Sequence, residues 1–274
     1  MGVPEDTPDN DKAPPYTGEA PPSYVETTKQ HQPQQVPPGI AGSSTAGPSQ
    51  IPRQFPPAFN LYRRDYSSGL FTLGVHQNQP LYLFAWHSGF SSAPPVLLHA
   101  GPDQSFPPLA AAEYRIFGAT FDVDLPPVPG SGAASAREEV TSVSSLRFGF
   151  GSYRFTIEVG PTNVREVFEW RRSRGDAVAS LGGVSTGWKL VRLTRGPPGG
   201  VGVGGDVSFV GGGFTDSAGN EVVAAWTMAT GSLTKVAKFH FIGTGLTGLL
   251  GERWAIFAVV TALALYQRER AGRD

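Results

Sequence analysis

Cysteine is absent from this chain of 274 residues. Its absence excludes disulfide frameworks and zinc sites built from thiolates, and it is typical of proteins in reducing compartments. Charge is also scarce, because charged residues make up 16% of the sequence and the formal net charge is −1. A chain without excess positive charge has no general field that gathers nucleic acid. We therefore expect no nucleic-acid partner.

Signals for export and for membrane insertion are missing as well. Met1 to Lys12 is acidic and polar, whereas a secretory signal starts with basic residues and continues into an apolar run. The chain has no Asn-x-Ser/Thr site, and its uncharged stretch from Trp254 to Tyr266 covers 13 residues. A transmembrane helix needs about 20. We expect a cytoplasmic protein, with peripheral membrane contact left open and no transmembrane span.

Proline is concentrated near the start of the chain. Thirteen of the 25 prolines precede Ala58, and Tyr16 and Tyr24 are the only aromatic residues before Phe55. Such a segment buries too little apolar surface to offset a backbone entropy cost of roughly 1–2 kcal/mol per ordered residue. We predict that residues 1–57 form a disordered proline-rich tail and that residues 58–274 form one folded domain.

The tail contains a complete P-P-x-Y tetrapeptide. Pro21 and Pro22 favour the extended polyproline II form, and Tyr24 falls on the same face one turn later. WW domains bind this combination, so a WW-domain protein, such as a ubiquitin ligase, is the predicted partner. A second copy ends at Tyr16 but has Ala13 where the first proline belongs, and we expect it to bind more weakly. The alternative is that a proline-rich tail contains the tetrapeptide by chance.

Short runs of β-branched and aromatic residues fill the rest of the chain. Glycine, proline, asparagine and serine separate the runs, as in an antiparallel sandwich or barrel. Leu125–Glu138 and Gly196–Gly205 are interpreted as loops. The predicted strands, about twelve, lie near Asn60–Tyr66, Leu70–His76, Leu81–His87, Val96–His99, Tyr114–Val123, Ser145–Gly149, Ser152–Val159, Arg165–Arg172, Trp188–Thr194, Val207–Val210, Glu221–Met228 and Val236–Ile242.

The apolar run near the C-terminus needs a different environment. A helix that is apolar on every side must be surrounded by protein or lipid, and this run is too short to cross a bilayer. A closed β-barrel with the helix along its axis satisfies both conditions. We therefore predict that Ala255–Tyr266 is a helix inside the barrel and contacts many strands.

This arrangement resembles the tubby C-terminal superfamily, in which a barrel encloses a hydrophobic C-terminal helix. The superfamily includes tubby proteins, LURP-one-related proteins and phospholipid scramblases. The segments Val167–Arg172 and Gly187–Val191 look like fungal LURP-one or tubby-like relatives. The resemblance covers roughly Phe59 to the end of the chain. It implies a non-enzymatic binding or adaptor protein whose exposed lysines and arginines contact phosphoinositide membrane surfaces.

Clustered arginines are the candidates for lipid contact. Arg171, Arg172 and Arg174 form one cluster, and Arg63 and Arg64 form a second. The tubby lipid-site pattern cannot be matched to them residue by residue, and solvated strand ends explain such clusters equally well. The alternative function is a scramblase-like, membrane-associated protein that inserts its C-terminal helix. Scramblases share proline-rich tails, but this chain lacks their palmitoylated cysteines and acidic calcium loop.

Three sequence patterns resemble parts of active or metal sites, but the residues around each one do not provide the structure that such a site requires. Gly243–Gly248 reads G-x-G-x-x-G, but the chain ends before the second parallel strand of a dinucleotide site could form. Gly183–Gly187 reads G-x-S-x-G, but a strand is predicted to follow it, where a nucleophile elbow needs a helix. Asp122 and Asp124 have no further carboxylates clustered nearby, whereas calcium needs six to eight oxygens. We expect neither an enzyme nor a bound metal or cofactor.

Overall fold

The computed structural model describes residues 54–88, 91–115, 120–128, 135–143, 151–200 and 213–272. The chain separates into two units, Met1–Ser49 and Gln50–Asp274, and every described residue belongs to the second. The prediction of a disordered tail falls outside the described residues for positions 1–53. For its last four residues the prediction is wrong, because Phe55 is buried in the hydrophobic core and the Pro57 carbonyl accepts a hydrogen bond from the Phe241 amide at 2.9 Å. The folded domain therefore includes residues 54–57, which the sequence assigned to the tail.

Twelve antiparallel strands form a closed barrel. Each strand pairs with the next one along the chain, and the first pairs with the last, so the described strands leave no open edge. The predicted fold class is confirmed. The strands are β1 Ala58–Arg63, β2 Leu70–Gly74, β3 Tyr82–Trp86, β4 Val96–His99, β5 Pro108–Tyr114, β6 Phe121–Leu125, β7 Ala136–Val143, β8 Ser152–Val159, β9 Val164–Ser173, β10 Gly187–Arg192, β11 Val222–Met228 and β12 Lys235–Phe241.

Alternation of apolar and polar residues gives the barrel wall a dry inner face. In β8, Tyr153, Phe155 and Ile157 are buried in the core, whereas Arg154 is exposed. Successive side chains on a strand point to opposite faces of the sheet. An alternating strand can therefore fill the lumen and still present charge to water.

Two of the predicted boundaries are wrong. The single strand predicted at Tyr114–Val123 is the end of β5 and the start of β6, which pair antiparallel, and beyond this pairing the Arg115 amide donates a hydrogen bond to the Thr120 carbonyl. The loop predicted at Leu125–Glu138 contains the end of β6 and the start of β7. The strands predicted at Ser145–Gly149 and Val207–Val210 lie outside the described residues.

The longest helix fills the lumen. The described residues contain three helices, α1 Asp176–Ala179, α2 Thr244–Thr247 and α3 Glu252–Ala271, and a 3-10 turn covers Pro198–Gly200. Thirteen of the 20 residues of α3 are buried. Phe257 packs on Phe155 of β8 with 4.6 Å between ring centroids, and Tyr266 contacts Phe71 of β2 at 5.8 Å. Since these strands lie far apart in the barrel order, α3 is enclosed by the wall, as predicted.

Hydrogen bonds fix the rotation and the axial position of α3. At its middle, the Trp170 Nε1–H donates to the Thr261 hydroxyl across 2.9 Å. At its start, Arg253 pairs with Glu158 at 3.0 Å. At its end, the Glu269 carboxylate accepts a hydrogen bond from the Trp188 indole N–H and pairs with Arg172 at 2.8 Å. The helix is thus anchored to the wall at three levels.

The length and polarity of α3 also bear on membranes. The helix extends beyond the predicted apolar run at both ends and includes charged residues there. Within the part of the chain that the structure describes, no helix combines the length and the apolar character needed to cross a membrane.

Candidate functional site

The predicted WW-ligand residues Tyr16, Pro21, Pro22 and Tyr24 lie outside the described residues. The structure therefore gives no geometry for the tail motif. WW binding stays a prediction from the sequence.

The arginines predicted as a lipid cluster do not share one surface. Arg171 points outward, where it pairs with Glu169 at 2.8 Å and with Asp216 at 2.6 Å. Arg172, on the opposite face of β9, pairs with Glu269 of α3 at 2.8 Å. Arg174 is exposed and bonds to the Thr186 hydroxyl at 3.3 Å. Two of the three charges are already paired, and lipid contact at this cluster remains a prediction.

The G-x-G-x-x-G segment forms the turn before α3. Its residues include α2, and Glu221 accepts hydrogen bonds from the Thr244 amide at 2.7 Å and the Thr244 hydroxyl at 3.0 Å. A carboxylate thus occupies the position where a phosphate would bind a helix N-terminus. A Cβ atom on Gly245 would lie 2.1 Å from the Val223 carbonyl oxygen, so this glycine serves close packing.

The G-x-S-x-G segment leads into a strand, as predicted. Gly187 is the first residue of β10, which continues to Arg192. A nucleophile elbow requires a strand, a sharp turn and then a helix. The serine of this segment therefore lacks the geometry that exposes a nucleophile.

The aspartates of β6 belong to a larger ionic surface. The expectation that no further carboxylates lie near them is wrong, because β5 and β7 place two glutamates on the same face. Arg115 bridges Asp122 at 2.8 Å and Glu139 at 2.7 Å. Within the described residues, no group of three metal-binding side chains could hold an ion. The surface consists of Glu113, Arg115, Asp122, Asp124, Arg137 and Glu139.

A groove at one end of the barrel has a volume of about 530 Å³. Its wall includes Arg63 at the end of β1, Trp86 at the end of β3, His87, and Arg270 in the last turn of α3. We call this cavity the rim groove. It is the place where the end of the enclosed helix and the mouth of the barrel meet.

The turn between β1 and β2 shapes one wall of the rim groove. Asp65 accepts hydrogen bonds from the amides of Ser67 and Ser68 at 2.9 and 2.6 Å and from both hydroxyls. The serine hydrogen bonds lower the pKa of Asp65 to about 2. Gly69 has φ +67°, and a Cβ atom there would lie 2.5 Å from the Trp86 carbonyl oxygen. Glycine at this position therefore lets the turn approach β3.

Two arginines give the groove its charge. Arg63 and Arg270 both act on the hydroxyl of Tyr266: burial raises its pKa, and the two nearby positive charges oppose the rise. Arg63 also lies 4.8 Å from the centroid of the Tyr66 ring. Among the described residues, neither arginine has a carboxylate within ion-pair distance. The groove therefore presents two cations without anionic partners.

Sequence reasoning found only part of this site. Arg63 belongs to a cluster noted above, whereas no sequence pattern singles out Arg270. The two residues are 207 positions apart in the chain, and no local spacing connects them. The signal that joins them is the position of α3 in the lumen, which brings its last turn to the mouth of the barrel.

No family model, curated protein or solved structure matches this chain. The tubby-like assignment consequently remains a prediction, based on the arrangement of strands and helix and on two short segments. A fold alone does not determine function. The function must be argued from the chemistry of the tail motif and of the barrel surface.

Proposed function

We propose that the protein is a non-enzymatic adaptor whose tail binds a WW domain and whose barrel is a rigid, tubby-like binding module. The observation that carries this proposal is the complete tetrapeptide Pro21-Pro22-Ser23-Tyr24. A polyproline II segment is already extended before it binds, so an aromatic groove can receive it at little entropic cost. The partner is a WW-domain protein, with ubiquitin ligases as the first class to test.

The filled lumen supports a binding role for the outer surface and the rim of the barrel. Barrels that enclose small molecules keep an interior cavity, whereas α3 occupies the interior here with 13 buried residues. Membrane contact is the second part of the proposal, through phosphoinositide headgroups. Of the predicted cluster, Arg174 is the residue that fits this role best, since it is exposed and bonds to a hydroxyl rather than a carboxylate.

The scramblase-like alternative requires α3 to leave the barrel and enter lipid. Such a step would break the hydrogen bond between Trp170 and Thr261 and the ion pair between Arg172 and Glu269. It would also empty the core. The buried position of α3 therefore favours the adaptor over the alternative.

The tail proposal is tested by titrating WW domains of ubiquitin ligases with the full chain. Tyr24→Ala should weaken binding about 30-fold, since residues that fill a central pocket contribute about 2 kcal/mol or more. Tyr16→Ala is the matched control and should weaken binding only modestly, through lost multivalency. Equal affinity of the wild type and the Tyr24 variant would refute the proposal.

A further inference from the structure

The rim groove brings together two arginines that form no ion pair within the described residues. Arg63 comes from the barrel wall and Arg270 from the enclosed helix, and both border one cavity beside the Tyr266 hydroxyl. Like charges that face a common cavity repel each other. A bound anion would turn that repulsion into attraction, because it would interact with both guanidiniums at once.

We propose that the rim groove binds a phosphate monoester, with Arg63 and Arg270 on the phosphoryl oxygens and Trp86 against the organic part. A guanidinium presents several N–H donors in a planar fork that matches phosphate geometry. A phosphate monoester carries a charge of about −1.5 to −2 at neutral pH and three strong acceptor oxygens, so both guanidiniums can donate to it at once. A carboxylate has two oxygens and a single negative charge, so we expect it to bind the same two arginines more weakly.

The rest of the groove fits this ligand. Its volume of about 530 Å³ lies within the range of about 300–1,000 Å³ typical of small-molecule sites. Ser88 and Ser91 add hydroxyl groups to the wall. Trp86 is half-buried and stacks on Phe71, with 6.3 Å between the ring centroids, and therefore offers an apolar surface beside the two charges.

Asp65 is the carboxylate that borders the groove, and it contributes one negative charge without forming an ion pair with either arginine. Its oxygens accept four hydrogen bonds from Ser67 and Ser68. This carboxylate is thus engaged in its own turn, and the net charge of the groove stays positive.

Tryptophan fluorescence gives a direct readout of occupancy. The other four of the five tryptophans are buried, at no more than 4% exposure, so Trp86 is the one a ligand in the groove can reach. The probes are phenyl phosphate and benzoate, which share a ring and differ in the anion. Phenyl phosphate should change the fluorescence saturably and bind at least tenfold more tightly than benzoate. Equal or tighter binding of benzoate would overturn the assignment of a phosphate site.

Substitution of single arginines tests whether Arg63 and Arg270 bind the phosphate. Arg63→Gln and Arg270→Gln should each weaken phenyl phosphate binding at least tenfold. Arg64→Gln is the matched control, since Arg64 is exposed, adjacent in sequence and absent from the groove wall, and its affinity should stay within twofold of wild type. Equal effects of all three substitutions, or no binding of phenyl phosphate to the wild type, would overturn the proposal. Unchanged melting temperatures would show that each variant is folded.

Vesicles identify the source of the phosphate. Phosphatidic acid presents a phosphate monoester on a membrane, whereas phosphatidylglycerol presents an anionic diester. Binding to phosphatidic acid vesicles that depends on Arg63 and Arg270 supports the site and assigns a lipid source. Binding to phenyl phosphate without a preference for phosphatidic acid over phosphatidylglycerol supports the site and assigns a small-molecule source. This result does not depend on the proposed WW binding, which involves Tyr16, Pro21, Pro22 and Tyr24 and no residue of the groove.

Discussion

Truncation of one side chain in the lumen tests the whole architecture. Phe257 lies at the centre of α3, is 0% exposed, and contacts the Phe155 ring at 4.6 Å. Phe257→Ala removes a fully buried ring and leaves a cavity that the barrel wall cannot easily close. Such a substitution costs about 3–5 kcal/mol. Because the total stability of a domain is about 5–15 kcal/mol, this one change should remove about a fifth of it or more.

Urea unfolding measures this loss. The unfolding midpoint of Phe257→Ala should fall while the slope stays unchanged, since a core truncation alters stability and not the surface exposed on unfolding. Leu249→Ala is the matched control: Leu249 is 45% exposed and lies just before α3, so its truncation should change the stability by about 0.5 kcal/mol or less. If Phe257→Ala costs no more than Leu249→Ala, then α3 does not support the core and the enclosed-helix architecture is wrong.

Two further predictions concern charge. The side chains of Arg192 and Glu166 are about 1% exposed and pair at 2.6 Å. Arg192→Met should lower the free energy of unfolding by about 3–5 kcal/mol, measured by thermal unfolding, because it leaves a buried carboxylate without its cation. The surface variant Arg137→Met is the control and should cost about 1 kcal/mol or less. For Glu169, burial acts to raise the pKa, but arginine hydrogen bonds, first from Arg171, bring it below its usual 4.5. The ionised Glu169 carboxylate therefore stabilises the folded state fully above about pH 4.5, and this contribution is lost as the pH falls through the lower folded-state pKa. In Glu169→Gln, the free energy of unfolding should consequently depend less on pH in that range. The same pH dependence in the wild type and the variant would contradict this.

The enclosed helix could be predicted because the sequence leaves it no other environment. A run without charge from Trp254 to Tyr266 needs complete burial, and it is too short for a bilayer. The surrounding strands follow from alternation, as in β8. Hydrophobicity and its periodicity are local properties of a sequence, and the enclosed helix and the alternating strands, which depend on them, were predicted correctly.

The missed strands lack those local properties. In β5, the run Ala110–Ala112 has low β propensity and becomes a strand because β4 and β6 pair with it on both sides. In β7, Ala136–Glu139 is charged and reads as a loop, yet Arg137 lies 3.6 Å from Asp122 and 3.8 Å from Asp124 of the neighbouring strand β6. Cross-strand partners stabilise both segments, and a single sequence does not reveal which strands are neighbours.

The rim groove and the core share one structural element, and this couples binding to stability. Arg270 stands in the groove because the buried part of α3 places it there, so a ligand held between Arg63 and Arg270 binds only when the helix is seated in the lumen. A ligand that binds only the folded state stabilises it by about 2.7 kcal/mol at a hundred times its dissociation constant. That is comparable to the cost of losing the Phe257 ring. Binding of the proposed ligand should therefore raise the free energy of the same unfolding equilibrium that the packing of α3 stabilises.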